Sequence, residues 1–325
     1  MSSNSKLNPF DVYNATYKRI RGHEIDASIL IPANLGPGNH PLIVRWHGGF
    51  LIGGSRLFMP WFPQWILDYA VSKGAVLISP DYRLMPEASG LDILSDLADF
   101  WKWVRSGLQQ ELYRMSDVLG WKQEVNVDTN DTLVIGESAG GYLALQSALL
   151  HPNVGIKACI AAYPVIDIKS RFFSEDYPKP MLIFRENIPV GRLEAHIANT
   201  KPGTVVTADG WPPERIDLAI CAVQRGRYLD LVGTDTSLFP LENLERANGL
   251  PAIWIYHGKG DSAVPVEHSM GFTKSLRKLR PDAAVQLSLE EGEHGLDAEV
   301  SLSTSWIKDG LAIIEGYWPS SGSKM

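Results

Sequence analysis

Cysteine is scarce in this chain of 325 residues: there are two, Cys159 and Cys221, each flanked by apolar neighbours in Ala-Cys-Ile and Ile-Cys-Ala. Two cysteines cannot build a disulfide framework or a cysteine-rich metal site, so both are expected as buried free thiols. No apolar run approaches the roughly 18 residues of a membrane span, and the first ten residues lack the apolar core of a signal peptide. Blocks of Lys or Arg are also absent; 30 basic residues are scattered among 37 acidic ones, for a formal charge of −7. That balance disfavours nucleic acid and anionic membrane surfaces as partners. No two histidines sit at helical ligand spacing, and no glycine-rich phosphate loop follows the first strand. Neither a metal nor a cofactor is therefore expected.

What is present is ordinary globular material, 45% hydrophobic and 21% charged. Residues 17–21 and 24–32 flank Gly22-His23 and read as an antiparallel hairpin. Short apolar runs over 41–46, 75–79, 132–135, 156–163, 251–257 and 285–289 read as strands. Between them, residues 62–73, 91–105, 270–279, 303–314 and the stretch ending at 150 carry apolar residues at helical spacing. Two antiparallel strands followed by repeated βα units imply an α/β fold, a mostly parallel sheet with helices on both faces. One stretch breaks the rhythm. Residues 164–250 are too long for a loop in a compact domain, and they carry Phe172, Phe173, Tyr177, Phe184, Trp211, Tyr228 and Phe239. A helical cap over a site is the expectation.

Gly136-Glu137-Ser138-Ala139-Gly140 follows a predicted strand and opens a predicted helix. In that setting Gly-x-Ser-x-Gly is a sharp turn that lifts the serine hydroxyl above the sheet. The small flanking residues let strand and helix approach closely. Glycine-rich strand–helix turns without chemistry share the pattern, so the motif needs partners. Upstream, His47-Gly48-Gly49-Phe50 comes directly after the run ending at Trp46. Backbone N–H groups of Gly48 and Gly49, with that of Ala139, are candidate donors to a developing oxyanion.

A serine nucleophile needs a base, and the base needs an orienting carboxylate. Of eight histidines, His294 in Glu-Gly-Glu-His-Gly follows the last predicted strand, at the sheet edge where an open α/β fold places its site. His257 and His268 are the next candidates. Asp261 is preferred as the acid over Asp297, which follows the histidine too closely to reach it from a separate loop. The order Ser138, Asp261, His294 is that of α/β-hydrolases. Trp61, Trp65 and Trp211 lie in segments that border such a cleft, with packing the commoner role for tryptophan.

His47-Gly48-Gly49, Asp81-Tyr82-Arg83-Leu84-Met85-Pro86-Glu87 and Gly136-Glu137-Ser138-Ala139-Gly140-Gly141 together resemble the hormone-sensitive-lipase-like branch of the α/β-hydrolases, from about residue 17 to 317. The resemblance implies an eight-stranded, mostly parallel sheet flanked by helices. It further implies a cap from about residues 1–16 plus 164–250, and cofactor-free hydrolysis of a small-molecule carboxylic ester. Monomer and homodimer both remain open. Two departures stand out: Phe50 replaces the usual fourth-position glycine, and the stretch after Glu87 lacks the branch's proline- and aromatic-rich pattern. Phe50, Glu137 and Trp211 are the expected substrate contacts. A non-hydrolytic use of the same pocket, for cyclisation, acyl transfer or ligand binding, stays open as the alternative. The cytoplasm is the expected location, with the C-terminal Ser323-Lys324-Met325 offering a peroxisomal address instead.

Overall fold

A computed structural model describes residues 3–119, 125–210 and 213–320. The chain begins with β1 (Phe10–Ile20), β2 (His23–Pro32), β3 (Gly38–Trp46), α1 (Gln64–Lys73) and β4 (Val76–Pro80). It continues through α2 (Gly90–Ser106), α3 (Leu108–Leu119), β5 (Val125–Glu137), α4 (Ala139–Leu150) and β6 (Ile156–Ala162). Five helices follow: α5 (Arg171–Ser174), α6 (Gly191–Asn199), α7 (Ile216–Gln224), α8 (Tyr228–Val232) and α9 (Pro240–Arg246). β7 (Ala252–Gly258), α10 (Val266–Leu279), β8 (Val285–Glu290) and α11 (Ser305–Ile314) complete it. Among the described residues no helix is long and apolar enough to cross a membrane.

One sheet of eight strands runs in the order β1-β2-β4-β3-β5-β6-β7-β8. β1 and β2 are antiparallel to their neighbours; the other pairs are parallel. The parallel strands are apolar on both faces because helices cover both. On β5, Leu133 and Ile135 point into one core with α1 and α11, whereas Val134 joins the other with α2, α4 and α10. Register brings the strand ends level: Trp46 pairs with Gly136, Glu137 with Ala162, Ala162 with Tyr256, and Gly258 with Glu290. The loops that follow β3, β5, β6, β7 and β8 are thereby gathered on one edge.

The N-terminal assignment needs correcting. Residues 10–16, assigned above to a cap, are strand, paired to β2 from Phe10 opposite Pro32 to Thr16 opposite Asp26. This is an edge strand whose polar side chains hid it; Asn14 Oδ1 accepts from Ser28 Oγ at 2.7 Å. The short turn of helix before it, Ser3–Leu7, is tied to the segment ahead of α1: Lys6 Nζ donates to Met59 O at 3.2 Å and Phe62 O at 2.7 Å.

The Tyr-Arg-Leu-Met-Pro-Glu stretch after β4 is a double anchor. Arg83 grips Asp96, fully buried on α2, through Nε–Oδ2 at 2.9 Å and Nη2–Oδ1 at 2.8 Å. Glu87 reaches into the 164–250 segment, where Arg215 Nη2 meets its Oε2 at 2.5 Å and His196 Nε2 its Oε1 at 2.8 Å.

Candidate active site

Ser138 stands between β5 and α4 with φ 57° and ψ −117°. A non-glycine residue tolerates that backbone only where the surroundings impose it. They do here: Ser138 N donates to Ala162 O at 2.9 Å, and Ser138 O accepts from Tyr142 N at 3.1 Å and Val165 N at 3.2 Å. The flanking glycines are obligatory in this turn. A Cβ on Gly136 would sit 2.0 Å from Gly140 O, and one on Gly140 2.0 Å from Trp46 O.

The second loop leaves β3 at His47. Burial lowers this imidazole to about 3, so it is neutral, and its Nδ1 bonds the Gly48 carbonyl at 2.8 Å. Tyr82 stacks on it at 4.3 Å and donates to His47 O at 2.8 Å. Gly48 abuts the serine turn; a Cβ there would lie 2.9 Å from Glu137 O. Gly49 has φ 110°, and the next two residues, Phe50 and Leu51, are also left-handed at φ 55° and 58°. Tyr228 Oη holds that strained pair by donating to Phe50 O at 3.0 Å.

His294 sits just beyond β8, and its Nδ1 lies 2.7 Å from Asp261 Oδ2. The other carboxylate oxygen, Oδ1, accepts from Ala263 N and Val264 N, each at 2.8 Å. Burial alone would raise the Asp261 carboxyl. The adjoining His294 and His257 outweigh it and hold the group well below the usual carboxylate range. Two rings neighbour the imidazole, Tyr163 edge-on at 4.6 Å and Phe50 parallel at 6.5 Å. Glu293 joins acid loop and base loop: its Oε1 accepts from Ser262 N at 2.6 Å and from His294 N at 2.7 Å.

A cavity of about 210 Å³ unites these parts; Gly48, Gly49, Phe50, Glu137, Ser138 and His294 all line it. Asp261 stands behind His294, and Ala139, buried, opens α4 beside the serine. Glu137 is a wall residue whose carboxylate is committed inward, with Arg45 Nε donating to Oε1 at 3.1 Å. Burial raises Glu137 to about 7 against the pull of Arg45. Trp61 borders the cavity, whereas Trp65 is buried beneath it; Trp211 lies outside the described residues, as does the 323–325 tripeptide.

Several cavity residues escaped the sequence reading, among them Phe62 and the following three. Leu182 and Ile216 come from the long insertion, and Tyr163 from the end of β6. Asp297, rejected as the acid, has another place: it is buried and accepts from Trp65 Nε1 at 3.2 Å, Tyr163 Oη at 2.8 Å and Tyr256 Oη at 2.6 Å. Three residues from His294, it ties the base loop to the ends of β6 and β7. The signal available was that same spacing, together with tyrosines closing two adjacent strands.

Comparison with known proteins agrees with this fold. Residues 43–191 match the α/β-hydrolase fold family. A Phoma sp. protein named probable carboxylesterase M8 is 32% identical over 97% of this chain and 98% of its own. The chain belongs to the α/β-hydrolases, in the hormone-sensitive-lipase-like carboxylesterase branch. Esterase 2 of Thermogutta terrifontis, solved phosphonylated by sarin, superposes with a TM-score of 0.60 at 20% identity, covering 98% of this chain and 96% of that one. At that identity the likeness concerns the fold. The non-reducing polyketide synthase stbA of Stachybotrys bisbyi is 26% identical over 83% of this hydrolase, a match that occupies 13% of the synthase.

Proposed function

We propose that this carboxylic ester hydrolase works through an acyl-enzyme formed on Ser138. Ser138 Oγ attacks the ester carbonyl as His294 Nε2 takes its proton, and Asp261 holds Nδ1–H and the imidazolium that forms. The N–H groups of Gly48, Gly49 and Ala139 stabilise the oxyanion. Collapse expels the alcohol, protonated by His294; water activated by the same imidazole then releases the acid. The observation that carries this reading is the 2.7 Å contact of His294 Nδ1 with Asp261 Oδ2, with Ser138 in the same cavity. Unliganded sites often hold the serine–histidine bond loosely and tighten it around substrate.

The substrate in this proposal is small to medium, uncharged and rather apolar. Phe50, Phe62, Tyr163, Leu182 and Ile216 supply the walls, and residues 164–250 act as the cap. A cavity of about 150 Å³ suffices for benzene. One of 210 Å³ therefore holds one ring-sized group, with the rest of the molecule at the mouth. The stbA match supports a polyketide-type ester from specialised metabolism. It also favours a second reading, that a substrate hydroxyl replaces water and the product is a ring or a transferred acyl group. Turnover of a panel of aryl and short acyl esters by wild type and Ser138→Ala tests the first reading. Free acid formed by wild type alone supports it, and equal turnover by both overturns it. Cyclised product with no free acid would favour the second.

A further inference from the structure

His257 is the last but one residue of β7 and is completely buried. Its Nε2 lies 3.0 Å from Val264 O and 3.2 Å from Asp261 Oδ2, and its Nδ1 lies 2.7 Å from Ser269 Oγ. A carbonyl oxygen can only accept, and so can an ionised carboxylate oxygen. Nε2 therefore carries the hydrogen and serves both. In the neutral ring Nδ1 is then an acceptor, and the Ser269 hydroxyl, buried on α10, must donate to it.

We infer that His257 is a positioning residue for the acid of the triad, and that Ser269 fixes the tautomer in which it acts. The inference rests on the triad proposed above. Asp261 Oδ2 has two imidazole neighbours, His294 on the cavity side and His257 on the core side. The two oxygens turn together about the Cβ–Cγ bond, and backbone N–H groups restrain that rotation at Oδ1. The His257 donor adds a restraint at Oδ2 itself, the oxygen that meets His294 Nδ1. The same Nε2–H binds Val264 O, so residues 261–264 wrap around one ring as a rigid turn. That turn meets the cap as well, because Leu182 N donates to Ser262 Oγ at 2.8 Å. The chain Ser269–His257–Asp261–His294 thus runs from the helix core to the proposed base, and each link has a defined donor.

Loss of the His257 donor should lower kcat and leave KM alone, since the substrate touches neither residue. His257→Phe keeps ring volume without a donor and should cost about tenfold in kcat, less than the roughly 10²–10⁴-fold supplied by a group that moves the proton itself. His257→Gln places an amide N–H near the Nε2 position and should recover most of the loss. In an Asp261→Asn background, His257→Phe should add little. Ser269→Ala keeps the imidazole and should lose kcat several-fold. Nitrogen-15 NMR of histidine-labelled wild type should show His257 protonated at Nε2 and bare at Nδ1. The inference is overturned if the spectrum shows the Nδ1–H tautomer. It is also overturned if His257→Phe and Ser269→Ala keep full kcat while Ser138→Ala is inactive. Should His257→Phe not fold, Ser269→Ala and the wild-type spectrum still decide. Activity surviving in Ser138→Ala would instead bring down the underlying triad.

Discussion

Phe50 lies parallel to the imidazole of His294, with ring centroids 6.5 Å apart and planes 11° from parallel. The residue that departs from the branch's glycine pattern therefore neighbours the proposed base in the wall of the same cavity. It does so from a backbone with φ 55°, a conformation that favours glycine. Phe50→Gly should keep kcat within about tenfold on small esters because the backbone donors persist. It should widen the accepted acyl or alcohol group. Thermal stability should fall, since losing a buried phenyl costs about 3 kcal/mol and relief of the left-handed backbone returns only about 1 kcal/mol. Parallel size-series kinetics and melting curves check both halves.

Glu137 gives a pH signature. Burial raises this carboxyl to about 7 although Arg45 pulls it down, whereas an unfolded glutamate titrates near 4.3. Between those values the folded state binds the extra proton, so stability falls as pH rises. The contribution is full below about pH 4.3 and lost through about pH 7. Glu137→Gln removes this component. The melting temperature of the wild type relative to the variant should therefore decline from pH 5 to pH 7.5. A difference constant across that range would contradict the assignment.

Arg215 clamps the 164–250 segment to the core. Besides Glu87, its Nε donates to Ile52 O at 2.6 Å and its Nη2 to Met85 O at 2.7 Å. Arg215→Ala leaves the nearly buried Glu87 carboxylate with His196 as its remaining side-chain partner and should cost about 2 kcal/mol, below the roughly 3–5 kcal/mol for a buried charge left wholly unpaired. Ile216, next in the chain, lines the cavity, so KM should rise as well. Calorimetry and limited proteolysis within residues 164–250 provide the readouts.

Within the proposed triad, losses should not add. Ser138→Ala and His294→Ala should each lower kcat by several orders of magnitude, and the double variant should be little worse than either. Asp261→Asn should be milder yet severe, because an uncharged partner permits the wrong imidazole tautomer. Single-turnover kinetics on a short acyl ester measure all four.

The placement of Ser138, Gly48 and Gly49 in the candidate site was legible because their backbone demands are local: turns crowded enough to need glycine, next to strands with unmistakable apolar runs. Asp261 and His294 were legible by chain order and by their places just past β7 and β8. The contacts that hold them were not. Asp297 and His257 act through partners distant in sequence, Trp65 for the first and Ser269 for the second. Strand extents failed where polarity masks pairing. β5 starts at Val125 rather than 132, and its stretch Thr129-Asn130-Asp131 interrupts the register with β3 between Pro41 and Leu42. α3 went unread, and the insertion, expected to be helical, had none of its individual helices placed. Most of those are short, and they are stabilised by side chains such as Lys179, which donates to Val223 O at 2.9 Å at the end of α7.

The most direct measurement is peptide mass spectrometry after reaction with a fluorophosphonate, followed alongside ester turnover. One phosphonyl group should appear per chain, on Ser138, and turnover should vanish in proportion to labelling. In Asp261→Asn and His294→Ala the adduct should form far more slowly, because the hydroxyl loses its base. An adduct on another residue, or full turnover by a chain labelled to completion at Ser138, would contradict a serine acyl-enzyme at this site.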